Sequence, residues 1–201
     1  MALQQLPLLG GTLYAARLMF RHRLWAAVDD SVLGGNSSSH LDMAVAKNEA
    51  AFSGYLDDIT LGGAGFASQQ TVGSLDWDLT GYDGLLVSVA LSDGKLYTLN
   101  LKDILPTSDR ESTLLYETSF TVPGSTVGSS GIQNGFLPWA NFAATYRGRT
   151  QPDAKPLNTS TIKTISLMMR STNSELWLLR EKGSNAVSLS KVNVHQHNEM
   201  R

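Results

Sequence analysis

The clearest alternation of apolar and polar side chains in this chain lies in Asp83-Gly-Leu-Leu-Val-Ser-Val-Ala-Leu-Ser-Asp-Gly-Lys-Leu-Tyr-Thr-Leu-Asn-Leu101. Every second residue from Leu85 to Leu91 is apolar, so these side chains share one face of an extended backbone. Tyr97, Leu99 and Leu101 share a face in the same way after the Asp93-Gly94 pair. Because Asp-Gly between two alternating runs is typical of a tight turn, the stretch predicts two strands joined as a hairpin.

Similar short runs recur along the chain. Further candidate strands cover residues 40–46, 50–56, 65–72, 114–121, 160–169 and 174–180. Segments rich in Gly, Ser, Asp and Pro separate them, and such short strands with frequent turn signals are typical of antiparallel sandwiches. A parallel sheet would require long helical patterns between the strands, and the sequence has none of convincing length. The pattern therefore predicts an all-β fold with antiparallel sheets.

The composition limits the classes of function. The chain has 201 residues, enough for one domain with a sizeable core, and a formal net charge of −2. Nucleic-acid binding usually needs a basic surface, which this charge balance does not favour. No apolar run reaches the roughly 20 residues that span a bilayer. The absence of cysteine excludes disulfides and thiolate chemistry and fits a reducing compartment.

We expect three segments: an N-terminal segment 1–24, a β-sandwich domain 25–180 and a C-terminal segment 181–201 with a frayed end. The first segment carries Arg17, Arg21 and Arg23, and no acidic residue precedes Asp29. It can be read as a short mitochondrial presequence or as a docking helix, because apolar residues from Leu13 to Leu24 fall on one helical stripe. The sequence leaves both interpretations open.

The stretch from Trp25 to Ser39 combines an aromatic residue, paired acids, the Gly34-Gly35 pair and a run of serines. Adjacent glycines disfavour a helix interior, and serines compete for backbone hydrogen bonds. The stretch therefore predicts an ordered turn that leads into a strand, with Asp29 or Asp30 accepting hydrogen bonds from backbone N–H groups.

No catalytic motif is evident. None of the four histidines lies in a nucleophile or metal motif, and there is no nucleophile elbow, Walker loop or dinucleotide fingerprint. The paired acids Asp29-Asp30 and Asp57-Asp58 suit turn and capping roles better than acid–base catalysis, because neighbours on an extended chain point to opposite faces. We therefore expect no enzyme activity, no metal site and no cofactor.

Two further groups of residues have alternative interpretations. Arg147 and Arg149 flank Gly148 in a connection over residues 146–158, where two guanidinium groups could capture a carboxylate or phosphate, or one could pair internally with Asp30 or Asp153. The four tryptophans could stack on sugars or anchor the core. They are Trp25, Trp77, Trp139 and Trp177.

Several motifs occur in an order that resembles the complex I intermediate-associated protein 30 family. The first is Trp25 followed by Asp30, Val32, Leu33, Gly34, Gly35 and Ser37, with Leu33 where the family pattern has Met. The others are Gly65 to Ser68, Asp78 to Leu85, Tyr97 to Leu101, Pro138 to Phe142, and Arg147 to Met168 with its Arg-Gly-Arg, Pro-Leu and closing strand. The resemblance covers roughly residues 25–170.

The resemblance implies a galactose-binding-domain-like jelly-roll β-sandwich. It also implies a mitochondrial assembly factor or chaperone for respiratory complex I (NADH:ubiquinone oxidoreductase), on the matrix side, with a cytoplasmic location as the other option. Implied partners are membrane-arm subunits and other assembly factors, and no catalytic residue is ascribed to the family. The alternative function is that of a carbohydrate-binding module, with a glycan as ligand.

We combine these inferences into one hypothesis about the docking surface. Glycines let a partner backbone approach closely, and the two arginines offer guanidinium groups that can bind a carboxylate or phosphate of a partner. The expected protein-binding residues are Asp30, Gly34, Gly35, Ser37, Arg147 and Arg149.

Overall fold

The protein is an antiparallel β-sandwich. The computed structural model describes residues 4–8, 11–15, 25–44, 49–108, 111–124, 131–171 and 185–195. The strands, numbered in chain order, are β1 Gln4–Leu8, β2 Gly11–Ala15, β3 Trp25–Ala27, β4 Ser38–Ala44, β5 Glu49–Tyr55, β6 Phe66–Thr71, β7 Gly84–Ser92, β8 Leu96–Lys102, β9 Leu115–Thr121, β10 Gln133–Pro138, β11 Ala143–Tyr146, β12 Arg149–Thr150, β13 Thr164–Arg170 and β14 Asn185–His195. Every strand pairing is antiparallel, and no α-helix occurs in these ranges.

Two large sheets form the sandwich. The seven-stranded sheet has the order β12-β11-β9-β8-β13-β6-β3, and the five-stranded sheet has the order β10-β7-β14-β5-β4. Strands β1 and β2 form a separate hairpin. The predicted all-β sandwich with antiparallel sheets is therefore confirmed.

The alternating runs form the core between the sheets. Leu85, Val87 and Val89 project from β7, and Tyr97, Leu99 and Leu101 project from β8 across the sandwich; each is at most 2% exposed. Burying side chains of this size contributes about 1.5–3 kcal/mol each. Because successive side chains of a strand point to opposite faces, these apolar side chains all lie between the two sheets. The side chains that alternate with them point to the outer faces.

The prediction that Asp93-Gly94 closes a β-hairpin is wrong. Strand β7 lies in the five-stranded sheet and β8 in the seven-stranded sheet, so this turn carries the chain from one sheet to the other. Gly94 has a φ of +79°, which suits a tight turn of either kind. The turn is local, whereas the choice of partner strand depends on residues far away in sequence.

Two segment boundaries differ from expectation. Residues Leu13 to Ala15, expected at the start of an N-terminal helix, lie in β2, where Thr12 and Tyr14 favour extended backbone and β1 supplies the pairing. The sandwich also extends past the expected boundary at residue 180, because β14 lies between β7 and β5. Its register shifts between Ser188 and Lys191, and this irregularity interrupts the alternation that would reveal a strand in the sequence.

Some of the sequence predictions concern residues that the structure does not describe, and others concern the tryptophans. The rest of the expected helix (16–24), the candidate strand 174–180 and Trp177 lie outside the described residues. Trp25, Trp77 and Trp139 are partly buried and pack against the core, as the core-anchor interpretation predicts. The Nε1–H of Trp139 donates to the carbonyl oxygen of Tyr82 at 2.5 Å.

Candidate functional site

The candidate site is the turn that connects β3 to β4, which we call the double-glycine turn (residues 30–37). It begins with a short 3₁₀ helix, Asp30–Leu33, and Gly34 follows in the left-handed conformation with a φ of +88°. The N–H groups of Gly34 and Gly35 donate to the carbonyl oxygens of Ser31 and Asp30, both at 3.0 Å. Gly34 suits this position because the left-handed conformation costs other residues about 1–2 kcal/mol.

A fully buried carboxylate organises the turn. The carboxylate of Asp30 accepts hydrogen bonds from the N–H of Ser37 (2.9 Å), from the hydroxyl of Ser37 (2.6 Å) and from the N–H of Phe66 (3.1 Å). Asp30 has 0% exposure. A Cβ on Gly35 would collide with this carboxylate, so Gly35 is a packing requirement of the turn.

The carboxylate of the preceding residue, Asp29, accepts a similar set of three hydrogen bonds. Asp29 accepts from the N–H of Ser39 (2.9 Å), the hydroxyl of Ser39 (2.6 Å) and the N–H of Ser68 (2.8 Å). The expectation that these acids serve the turn rather than acid–base chemistry agrees with these contacts. Each acid accepts three hydrogen bonds, which is what a buried carboxylate requires to remain stable.

A second loop is fixed to the turn through Asp57. The N–H of Asp57 donates to the hydroxyl oxygen of Ser37 at 2.9 Å, and Nδ2 of Asn36 donates to the Asp57 carboxylate at 3.1 Å. Hydrogen bonds from the Thr60 side chain, the N–H of Ile59 and other nearby groups hold the pKa of Asp57 well below its usual range. The double-glycine turn and the Asp57 loop are therefore one hydrogen-bonded unit.

The two loops expose large apolar side chains. Val32 is 75% exposed, Leu33 66% and Ile59 68%. Such side chains would normally turn inward, but here the 3₁₀ helix is held by buried polar contacts that direct Val32 and Leu33 to solvent. Sequence reasoning placed both residues in the turn motif without assigning them a role, although an apolar pair inside a polar turn is a usable signal.

Arg147 and Arg149 lie in a β-hairpin, not in a long loop. Tyr146 pairs with Arg149, and Arg147 and Gly148 form the two-residue connection with φ angles of +50° and +74°. Two positive φ angles are typical of the tight turns that close such hairpins. The Nε–H of Arg147 donates to the Ser112 hydroxyl at 3.2 Å, and its guanidinium lies 5.5 Å from the centroid of the Tyr146 ring.

The structure does not bring the arginines to the double-glycine turn. The turn follows β3, whereas Arg147 precedes β12 and Arg149 is its first residue. Strands β3 and β12 form opposite edges of the seven-stranded sheet. Six strand spacings separate those edges by roughly 29 Å. No ion pair joins Arg147 or Arg149 to Asp30 or Asp153, all of which the structure describes. Thus Asp30, Gly34, Gly35 and Ser37 lie together in the double-glycine turn, with Asp30 and Ser37 buried in it, and the arginine hairpin is a separate surface.

Within the ranges given above, no group of three or more His, Cys, Asp or Glu residues is arranged to hold a metal ion. In the same part of the chain, no helix has the length and apolar character needed to cross a membrane.

Sequence comparison assigns the family. The model of the family described as complex I intermediate-associated protein 30 matches residues 17–185. The chain belongs to this family. A relative, an uncharacterized protein of Schizosaccharomyces pombe, is 41% identical over 152 residues, which cover 72% of this chain and 68% of the relative.

Structural comparison agrees with the fold. The sandwich is similar to the family 11 carbohydrate-binding module of a cellulosomal cellulase from Clostridium thermocellum, with a TM-score of 0.61 and 13% identity over 100% of this chain and 99% of that one. A second structure of that module, in complex with a mixed-linked β-1,3-1,4 tetrasaccharide, gives a TM-score of 0.57 at 13% identity, with 98% and 96% covered. At this identity the similarity shows the jelly-roll fold alone.

Proposed function

We propose that this protein takes part in the assembly of respiratory complex I by binding other proteins, without enzyme activity, on the matrix side of the mitochondrial inner membrane. Its partners are membrane-arm subunits of complex I and other assembly factors. Membership of the complex I intermediate-associated protein 30 family supports the assembly role.

The proposal of protein binding rests on the exposed apolar side chains of the double-glycine turn. Val32 and Leu33 are exposed on a turn that buried hydrogen bonds to Asp30 hold in one conformation. Burying each side chain in a partner would contribute about 1.5–3 kcal/mol. A preformed turn also avoids most of the entropic cost of ordering a loop on binding.

The acidic residues of the site support a non-enzymatic role. A general acid or base must reach a substrate proton within about 3 Å. Asp29 and Asp30 are at most 8% exposed and use their oxygens to hold Ser37, Ser39 and the β6 backbone. These two carboxylates stabilise the turn through hydrogen bonds and are not accessible to a substrate.

The arginine hairpin is a second contact surface in this proposal. A standard interface of about 800 Å² per partner is only about 30 Å across, so a partner centred on the double-glycine turn does not reach Arg147 and Arg149, roughly 29 Å away. We therefore expect the two surfaces to contact different proteins, or distant parts of one large intermediate.

Glycan binding is the second candidate, supported by the shared sandwich fold and by two exposed tyrosines. Tyr55 is 53% exposed on β5 and Tyr146 is 39% exposed on β11. These strands belong to different sheets, so the two rings do not form one stacking platform. Protein binding is therefore the better-supported function.

Affinity purification of the tagged full chain from its native host, followed by quantitative mass spectrometry, tests the proposal. Enrichment of membrane-arm subunits over a tag-only control is the expected result. Enrichment of other proteins without complex I subunits would overturn the assembly role, and binding on a glycan array without protein partners would favour the second candidate. Protease protection of the tagged chain in isolated mitochondria and mitoplasts tests the matrix location against a cytoplasmic one.

A further inference from the structure

A depression lies on the outer face of the seven-stranded sheet, near the β3 edge. Its volume is about 390 Å³, and it is lined by residues of β3, β6, β8 and β13 and of the segments that follow β3, β6 and β8. The apolar part of the lining includes Val28, Leu105 and Pro106. This volume lies in the range of small-ligand sites in proteins.

Two polar side chains in the depression lack partners. Lys102 and Gln70 both line it, and neither side chain makes a hydrogen bond or ion pair with any residue in the described ranges. Lys102 lies at the end of β8 opposite Thr164 of β13, whose side chain is buried in the same lining. The core side chain next to Lys102 is Leu101, so Lys102 projects to the opposite, outer face.

The charge of Lys102 is incompletely compensated. The lysine is partly buried, and burial lowers the pKa of its ammonium group because a charge is less stable away from water. An anion that enters the depression and pairs with this ammonium group would offset part of its lost solvation energy. One cation and one amide donor suit an anion with a single charge and two oxygens.

We propose that this depression binds a carboxylate carried on a short apolar stem. The carboxylate pairs with the Lys102 ammonium and accepts a hydrogen bond from the Gln70 amide, and the stem contacts Val28, Leu105 and Pro106. A phosphate, with up to two charges and three acceptor oxygens, would require more donors than these. The site is separate from the proposed assembly role, although Val28 lies only two residues before Asp30.

The same chemistry can come from a glutamate side chain of a partner segment or from a free carboxylic acid. Titration of the ¹⁵N-labelled full chain, followed by two-dimensional NMR, tests the site directly. The probes are sodium hexanoate, 1-hexanol, and a blocked Leu-Glu-Leu tripeptide with its Gln analogue. We expect saturable shifts at the amides of Gln70 and Lys102 with hexanoate or with the Glu peptide, and none with their uncharged counterparts.

Matched lysine variants show whether Lys102 is responsible. Lys102→Met is expected to weaken binding by about tenfold or more, because hydrogen bonds to charged groups are the strong ones. Lys155→Met removes an exposed lysine and is expected to leave the titration unchanged. If Lys102→Met disturbs the spectrum of the free protein, Lys102→Gln replaces it.

The two sources give different outcomes. Tighter binding of the Glu peptide than of hexanoate assigns the site to a partner segment, and the reverse assigns it to a free acid. Shifts that do not saturate, that are equal for hexanoate and hexanol, or that persist in the Lys102 variants would overturn the proposal. None of these outcomes depends on recovery of complex I subunits with the protein.

Discussion

Asp29 and Asp30 are adjacent in sequence, yet their carboxylates hold different parts of the sandwich. Asp29 binds Ser39 and the N–H of Ser68, whereas Asp30 binds Ser37 and the N–H of Phe66. Each carboxylate thus connects the start of β4 to β6, which belongs to the other sheet. The pair fixes the double-glycine turn at the place where the two sheets meet.

Removal of the Asp30 carboxylate is expected to destabilise the protein strongly. Asp30→Ala leaves the buried N–H of Ser37 and the partly buried N–H of Phe66 without their acceptor, at a cost of about 3 kcal/mol or more. The free energy of unfolding in urea measures the loss. Asp153→Ala, which removes an exposed acid, is the control and is expected to change little. Equal stability of both variants would show that the Asp30 contacts are not structural.

Glycine substitutions separate steric packing from backbone conformation. Gly35→Ala forces its Cβ against the Asp30 carboxylate, and overpacking of this kind costs about 1–3 kcal/mol. Gly34→Ala meets no atom within 4 Å but is strained by the positive φ, at about 1 kcal/mol. Gly81→Ala has neither constraint and serves as the reference in thermal unfolding. A Gly35→Ala variant as stable as Gly81→Ala would contradict this packing.

The hairpin turn at Arg147 has a residue with positive φ that is not glycine. Asn is preferred over Arg at this position before Gly148, so Arg147→Asn is expected to raise the thermal midpoint slightly. Gly148→Ala is expected to lower stability by about 1 kcal/mol, because Ala resists a φ of +74°. Differential scanning calorimetry of the two variants checks both directions, and a decrease for Arg147→Asn would contradict the turn geometry.

Alanine substitution of Arg147 and Arg149 addresses binding at the same hairpin. Both side chains are exposed, so the double variant is expected to keep its thermal midpoint and to lose partners in co-purification. A large fall in the midpoint would instead make the arginines structural.

Asp57 makes stability depend on pH. Its pKa is depressed in the folded state, so the folded protein binds fewer protons than the unfolded chain below the ordinary pKa of an aspartate. The stabilisation is therefore complete above about pH 4 and is lost as the pH falls toward the folded-state pKa. Asp57→Asn is expected to be less stable than the wild type at pH 7, with a difference that narrows at pH 2.5. Urea unfolding at both pH values checks this, and a constant difference would contradict it.

Sequence patterns predicted the strands whose alternation is uninterrupted, such as the run from Leu85 to Leu91. They did not predict β14, because its register shift near Ser188 breaks the alternation. They also misassigned the Asp93-Gly94 turn, since turn chemistry is local and sheet membership is not. The double-glycine turn was predicted as an ordered turn from its composition. Its distance from Arg149 was not predictable, because that distance depends on the order of seven strands.

Val32 and Leu33 are the proposed contact residues for protein partners. The most direct test of this claim is co-purification of complex I subunits with the tagged protein carrying Val32→Ser and Leu33→Ser. The matched control is Ile132→Ser, an exposed apolar residue beside β10, at the opposite edge of the five-stranded sheet from β4. We predict that the double variant keeps the wild-type thermal midpoint but recovers far fewer subunits than the wild type or the control. Equal recovery from all three proteins would contradict the claim.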